Sequence, residues 1–520
     1  MTKRLAALAS LLTLGALAAA PAATAAPKPV SIDFLGRTAA GGEATAEIAA
    51  FDPQSATVYA TNADGNSLDL YDFSDPMAPT PTDSIDLSPY GGGPNGVDFS
   101  ARKGGIVAVA VEAADKTDPG TVELFDAEGA HLRTIAAGAL PDMLTFANGG
   151  KLLLVANEGE PSDEGVDPPG SVSIINLKKF GKPKVRTAGL GNAKLRGPVR
   201  IFTPGSTQGQ DLEPEYITVA GERAFVSIQE ANAVGVIDLK KKRFKYVRSM
   251  GFKDHGLDAN ALDPSDEDGI EIEPWENVFG MYQPDAVAAY SLKAKKGKGK
   301  AAGKKGKKAK RTYIVTANEG DARDWDFFAE EERVGDLTLD PDAFPADAIQ
   351  DENLGRLNVT TTLGDTDDDD DYDELYAFGG RSLSVLDCKA KVAFDTGSLF
   401  EDLTADIAEA DFNKDNAAGS DPDNRSDNKG PEPEGVDVGK VGKRKYAFLG
   451  FERQGGLVAF DLSDRKGKAG FAGYANTRED DLGPEGVHFV PAGKSPTGNP
   501  LILVTYEITG TISAYEISKG

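Results

Sequence analysis

The sequence predicts an all-β chain: a seven-bladed β-propeller closed by an N-terminal strand in the last blade, with long loop insertions. Three observations lead there. A three-strand pattern recurs seven times along the chain. Segments such as 106–111 (IVAVAV), 151–156 (KLLLVA) and 501–505 (LILVT) are apolar on both faces. Each must be covered on both sides, as stacked blades cover one another. Helical periodicity over about ten residues is nearly absent. With 59 Gly and 30 Pro in 520 residues, the chain is too rich in turn formers for a helix bundle, and at 40% hydrophobic it is too apolar for a disordered one. A repeat overrides the usual length prior, so residues 26–520 read as one domain.

In chain order, residues 1–25 come first and have the three parts of a secretory signal peptide. Lys3 and Arg4 precede an apolar run over 5–20, and Ala23-Thr24-Ala25 has the small-x-small pattern of a cleavage site. A secreted, extracellular protein is therefore expected. No later stretch reaches the roughly 20 apolar residues of a membrane span. The strand-like residues 30–36 precede the first unit and can supply the outer strand of the last blade, which would protect the ring from opening. First strands start on a small residue or Pro followed by an acid or amide: Ala46-Glu47, Pro94-Asn95, Pro141-Asp142, Pro214-Glu215, Pro284-Asp285, Pro433-Glu434 and Pro484-Glu485. Second strands end at Asn62, Glu112, Glu158, Glu230, Glu319, Glu452 and Glu507, and third strands follow, the last over 511–517.

Two insertions stand out. Residues 293–311 hold eleven basic residues and no apolar anchor, and read as a mobile loop. Residues 321–374 are too many for a structureless connection in a compact domain and are expected to cap one face. Within them, 365–374 (DTDDDDDYDE) has Asp at alternate positions but lacks the Gly and Glu that complete an EF-hand. That run is either an irregular calcium site or a solvated acidic segment.

Composition limits the chemistry. Asp plus Glu is 83 against 56 Lys plus Arg, a net charge of −27, which repels phosphate backbones and argues against nucleic-acid binding. One cysteine and three histidines leave little for a zinc or iron–sulfur site. In an antiparallel blade, the start of the first strand and the end of the second share an edge. Both acidic sets should therefore converge on one mouth of the central channel, with Glu47, Asp142, Glu215, Asp285, Glu434 and Glu485 innermost as candidate metal ligands. Like charges repel by about 4 kcal/mol per pair at 4 Å and an effective dielectric of 20. Protons, cations or basic side chains can relieve this. Oxygen-only ligands select a hard cation, calcium before magnesium. The competing reading is structural: acids at blade edges accept backbone N–H groups and complete their own blades.

Several motifs add a resemblance. Residues 140–161 (LPDMLTFANGGKLLLVANEGEP), 313–325 (YIVTANEGDARDW), 375–384 (LYAFGGRSLS), 425–436 (RSDNKGPEPEGV) and 482–490 (LGPEGVHFV) resemble the choice-of-anchor I domain family over nearly the whole mature chain. The resemblance implies a secreted or surface propeller related to the YVTN-type β-propellers. Members are sometimes labelled alkaline phosphatase-like or likened to mesenchyme-specific cell-surface glycoproteins. This sequence departs from the family in having no visible C-terminal anchor, and in its Lys-rich insertion.

Two functions compete. One is a non-enzymatic extracellular binding module in which calcium is structural or bridges the ligand; no Gly-x-Ser-x-Gly elbow or recognisable triad is present. The other is a calcium-dependent phosphoesterase, alkaline phosphatase- or phytase-like. There Glu158, Glu319 and Asp321 would serve as acids beside the capping insertion, with Arg323, Arg381 and Arg453 clamping phosphate. An electron-transfer or lactone-processing propeller ranks last, since no haem-attachment motif appears. The expected partner is an extracellular ligand or a phosphoester, bound by a monomer.

Overall fold

A computed structural model describes residues 26–293 and 310–520. The signal-like residues 1–25 and nearly all of the Lys-rich segment 293–311 lie outside the described residues. The fold is an all-β propeller, as the sequence pattern requires. Among the described residues, seven sheets built on four antiparallel strands follow one another along the chain. In the second, Pro94–Ser100 pairs with Ile106–Val111, which pairs with Pro119–Phe125, which pairs with His131–Ala139. The fourth sheet adds Leu195–Arg196 parallel to its outer strand. The last sheet runs Pro484–Val490, Leu501–Tyr506, Thr511–Lys519, and takes Val30–Arg37 from the N-terminus as its outermost strand.

Two-faced apolar strands are explained by what lies either side of them. In Ile106–Val111, the even residues Ile106, Ala108 and Ala110 pack with Leu144, Leu153 and Val155 of the third sheet. The odd residues Val107, Val109 and Val111 pack with Ala50, Tyr59 and Leu68 of the first. Every such side chain leaves water completely, each contributing roughly 1.5–3 kcal/mol for the larger residues. The same packing joins the last sheet to the first: Val490, Leu501 and Leu503 meet Ala46, Phe51 and Val58. Polar staples reinforce three junctions. Asp98 Oδ2 accepts the Phe146 N–H at 2.7 Å, Thr218 Oγ1 accepts the Ala289 N–H at 3.0 Å, and Asp437 Oδ2 accepts the Phe489 N–H at 2.9 Å.

The insertion 321–374, expected from the sequence to cap one face, does not fold alone. Two chain segments, 251–283 and 319–381, build a separate five-stranded sheet in the order Phe252–Asp254, Val278–Met281, Leu375–Ala377, Asn358–Thr360, Glu331–Arg333. Its own core includes Leu262, Val278, Val334, Phe344, Leu357 and Val359. Both segments leave the propeller at the edge where first strands start and second strands end. The chain also has an α-helix, Leu399–Ile407, which strand-period reading passes over. Its Phe400 packs edge-on against Phe451 with ring centroids 4.8 Å apart. No helix among the described residues is long and apolar enough to cross a membrane.

Candidate functional site: an acidic mouth of the channel

The repeat builds the site through one local device. Inner strands of five sheets start at a proline, whose missing N–H suits a strand's first position. At each of these, pairing shifts register just after the proline: Pro94/Gly96, Pro141/Leu144, Pro284/Val287, Pro433/Val436 and Pro484/Val487. Such a bulge lifts the next side chain out of the ladder and re-aims it. The carbonyl before the proline then accepts the N–H of the acid that ends the second strand. Glu112 donates to Gly93 at 2.9 Å, Glu158 to Leu140 at 2.8 Å, Glu452 to Glu432 at 2.9 Å and Glu507 to Gly483 at 2.7 Å. The two acidic sets are thus fastened side by side. Glycine after the acid lets the next sheet approach: a Cβ on Gly435 would lie 2.0 Å from the Glu485 carbonyl oxygen.

The result is a cavity of about 420 Å³ lined by Glu47, Asn95, Glu112, Asp142, Glu158, Glu215, Tyr216, Glu230, Asp285, Asp321, Glu434, Glu485 and Glu507. All six inner acids named from the sequence meet there. A second cavity of about 290 Å³ continues between the inner strands and shares Ile48, Tyr216 and Glu485 with the first.

Burial, with neighbouring carboxylates adding to it, pushes these acids upward. Burial and the charges of Glu507, Asp142 and Glu112 raise Glu47 to about 7. Burial raises Asp142 to about 6. It raises Asp321 to about 7 despite Lys429. Glu158, Glu215, Asp285, Glu434 and Glu485 are held well above the carboxylate range, again by burial first and like charge second. Glu215, Glu230 and Asp285 are more than nine-tenths buried. Each has one carboxylate oxygen (Oε2, Oε2 and Oδ2) that accepts no hydrogen bond among the described residues. Ligand oxygens of Asp285, Glu319 and Glu434 lie within 4.8 Å of one another, as do those of Glu319, Glu432 and Glu452.

Of the second set of candidates, Glu158 and Asp321 line the cavity, and Glu319 stands against it, accepting from Gln229 Nε2 at 2.9 Å and Lys429 Nζ at 3.0 Å. The three arginines named as a phosphate clamp are not in it. Arg323 is buried between Asp211 and Glu213, beneath Phe202 and Trp325. Arg381 is buried against Glu401 at 2.7 Å and the carbonyls of Asp263, Ser426 and Asn428. Arg453 pairs with Glu432 at 3.3 Å and Glu452 at 3.1 Å. Each guanidinium is consumed by neutralising acids within the fold. The sequence reading missed Tyr216, which borders both cavities. It follows Pro214-Glu215 where the matching positions hold Gly96, Met143, Ala286, Gly435 and Gly486, so its size was a visible signal.

The choice-of-anchor I domain profile matches residues 47–465, and the chain belongs to that family. Gigasin-3a of Magallana gigas is 32% identical over 185 residues, 32% of this chain and 64% of that protein. The mesenchyme-specific cell surface glycoprotein of Strongylocentrotus purpuratus is 28% identical over 337 residues, 56% of this chain and 40% of that protein. The chain thus spans less than two thirds of either relative's length. Among solved structures, the RRP9 WD40 repeats align with 95% of this chain and 100% of theirs at 9% identity and a TM-score of 0.47.

Proposed function

We propose that the protein is a secreted extracellular binding module, a seven-bladed propeller closed by its N-terminal strand, whose acidic mouth holds calcium. One observation carries the reading: Glu215 and Asp285 line one cavity rich in carboxylates, and each has a buried oxygen with no donor among the described residues. Buried acceptors without donors are destabilising unless a proton or a cation satisfies them. All donors are hard oxygens, which suits calcium. Glu47, Asp142, Glu215, Asp285, Glu434 and Glu485 supply the ring, and Asp285, Glu319 and Glu434 supply a three-carboxylate set close enough for one ion. A bound cation would face outward through the mouth and recruit an anionic group of the ligand. The signal-like residues 1–25 and the cell-surface name of one relative support an extracellular setting.

The test is calcium bound to the purified, secreted chain after exhaustive dialysis, with and without chelator. Stoichiometric calcium, and a lower melting temperature once it is chelated, are expected. No retained metal and no chelator effect would leave the acids as protonated structural groups. Phosphoester hydrolysis is the weaker reading, because Arg323, Arg381 and Arg453 are all engaged elsewhere. Turnover that tracks the purified protein would reverse that ranking.

A further inference from the structure

Basic side chains gather at the edge of the propeller opposite the mouth. First strands start at the mouth and second strands end there. The turns joining first to second and third to fourth strands therefore lie at the other edge. Where the third and fourth sheets meet, Lys151, Lys178, Lys240 and Lys242 come from such turns and line one cleft of about 300 Å³. Its single acid, Glu222, is paired with Lys240 at 2.5 Å. The row continues on either side. Arg102, from the matching turn of the second sheet, donates to the carbonyls of Gly150 at 3.0 Å and Leu177 at 2.7 Å. Arg223 of the fourth sheet donates to the Cys388 carbonyl at 2.6 Å, and Lys389 follows in that turn of the fifth sheet.

None of Arg102, Lys151, Lys178, Arg223, Lys242 and Lys389 is ion-paired among the described residues. Asp238 and Asp387, the acids beside them in sequence, cap their own turns, accepting the Lys241 N–H at 3.0 Å and the Lys389 N–H at 2.7 Å. This is the reverse of the mouth side, where Arg323, Arg381 and Arg453 are all spent on acids of the fold. Lysines side by side repel one another, and a chain with 83 acids had the means to neutralise them. Relief has to come from outside the chain, as an anion.

The chemistry of the row selects the kind of anion. Lysines are flexible point charges, and no arginine fork lines the cleft to grip one small anion in a fixed geometry. An arc of charge over the edges of four sheets instead matches a polymer of repeated negative charge. Two side-chain amides, Asn148 and Asn176, border the same cleft. Asn176 Oδ1 accepts the Lys178 N–H at 3.1 Å, which leaves its Nδ2 as a donor. Amide donors beside ammonium groups suit a sugar chain, which offers hydroxyls as well as charges. None of the exposed large apolar side chains among the described residues lies in the cleft, so a lipid surface would gain no insertion there.

We propose that this edge is a second binding surface, for an anionic polysaccharide, that holds the protein to an extracellular polymer while the mouth at the opposite edge stays free. It uses none of the mouth's acids, so a mouth that binds no calcium would leave it standing.

The experiment uses the full secreted chain in EGTA at low ionic strength, with polygalacturonate and dextran sulfate as probes and uncharged dextran as the control. Binding to at least one charged polymer and none to dextran is expected. Lys151→Glu with Lys178→Glu should weaken it by about tenfold or more, since two exposed attractions become repulsions. Both side chains are exposed and unpaired, and an unchanged melting temperature verifies the fold. Lys466→Glu with Lys468→Glu makes the same change of net charge in the equivalent turn of the sixth sheet and should weaken binding by less than about twofold. Equal losses for the two double variants would reduce the effect to overall charge and overturn the proposal. So would no binding to either charged polymer. Tighter binding of single-stranded DNA or of phosphatidylserine vesicles than of both polymers would overturn the choice of a polysaccharide.

Discussion

Glu432 and Glu434 stand two residues apart at the start of the sixth sheet, both buried, and they titrate in opposite directions. Burial alone would raise Glu432, but Lys429, Arg425 and Arg453 outweigh it and hold it down to about 2. Glu434 is raised well above the ordinary range by burial and by Asp285, Glu319 and Glu485. The proline between them turns one carboxylate toward a belt of basic side chains and the other toward the channel. Burial is common to both, so it does not decide their chemistry. What decides it is whether the compensating cation belongs to the chain. The belt carries its own cations, whereas the mouth's acids must borrow a proton or an ion from solvent.

The sharpest way to break that contrast is a paired substitution. Glu432→Gln should destabilise the protein by about 3 kcal/mol, since it strands the cations of a buried network. Glu434→Gln should leave metal-free stability unchanged or improved, because it removes a like charge from the mouth. Denaturant unfolding in EGTA checks both. Equal losses for the two variants would mean that the mouth is compensated by something within the fold.

Acidity provides the next test. Glu432 is depressed, so its contribution is present above the unfolded value near 4.5 and is lost as pH falls through about 2. The mouth's acids have the opposite sign. Burial first and like charge second push Glu47 and Asp321 up to about 7, so the folded chain keeps protons that the unfolded chain has released. Metal-free stability should therefore fall as pH rises from the ordinary carboxylate range to about 8. Saturating calcium should flatten that slope by replacing the protons. Melting temperatures from pH 5 to 8.5, with calcium and with EGTA, check it. A flat metal-free profile would sink the borrowed-cation account.

The mouth was legible because each inner strand repeats its start, and period-two strands with shared edges force Glu47, Asp142, Glu215, Asp285, Glu434 and Glu485 together. The belt was not. Arg323 meets Asp211 and Glu213 across more than a hundred residues of chain, and Arg381 meets Asp263, Glu401 and Ser426 from three separate segments. No local period encodes those meetings. The helix Leu399–Ile407 went unread because one short amphipathic turn sequence, lodged between strands, offers too few repeats of 3.6 to register. The cap was half legible: the length of 321–374 announced an insertion, but its parallel pairing of Val278–Met281 with Leu375–Ala377 joins segments that nothing in the sequence links.

The smallest expected effect lies at the rim, where the two regimes meet. Lys116 Nζ pairs with Glu160 Oε2 at 2.7 Å, and both side chains are about a third exposed. Water and salt screen such a pair, so Lys116→Ala should reduce stability by less than about 1 kcal/mol. Its effect on the mouth should have the opposite sign. Lys116 also lies close enough to Glu158 to feel its charge, and it lowers Glu112 against the upward push of burial. Removing it makes the mouth more negative, so calcium should bind more tightly, by about twofold at low ionic strength, with the gain fading as the Debye length shrinks to about 8 Å near 0.15 M salt. Calorimetric titration at two salt concentrations measures this. Weaker calcium binding in Lys116→Ala would mean that Lys116 organises the rim through its hydrogen bond to Glu160, which also accepts Trp325 Nε1 at 3.2 Å, and not through its charge.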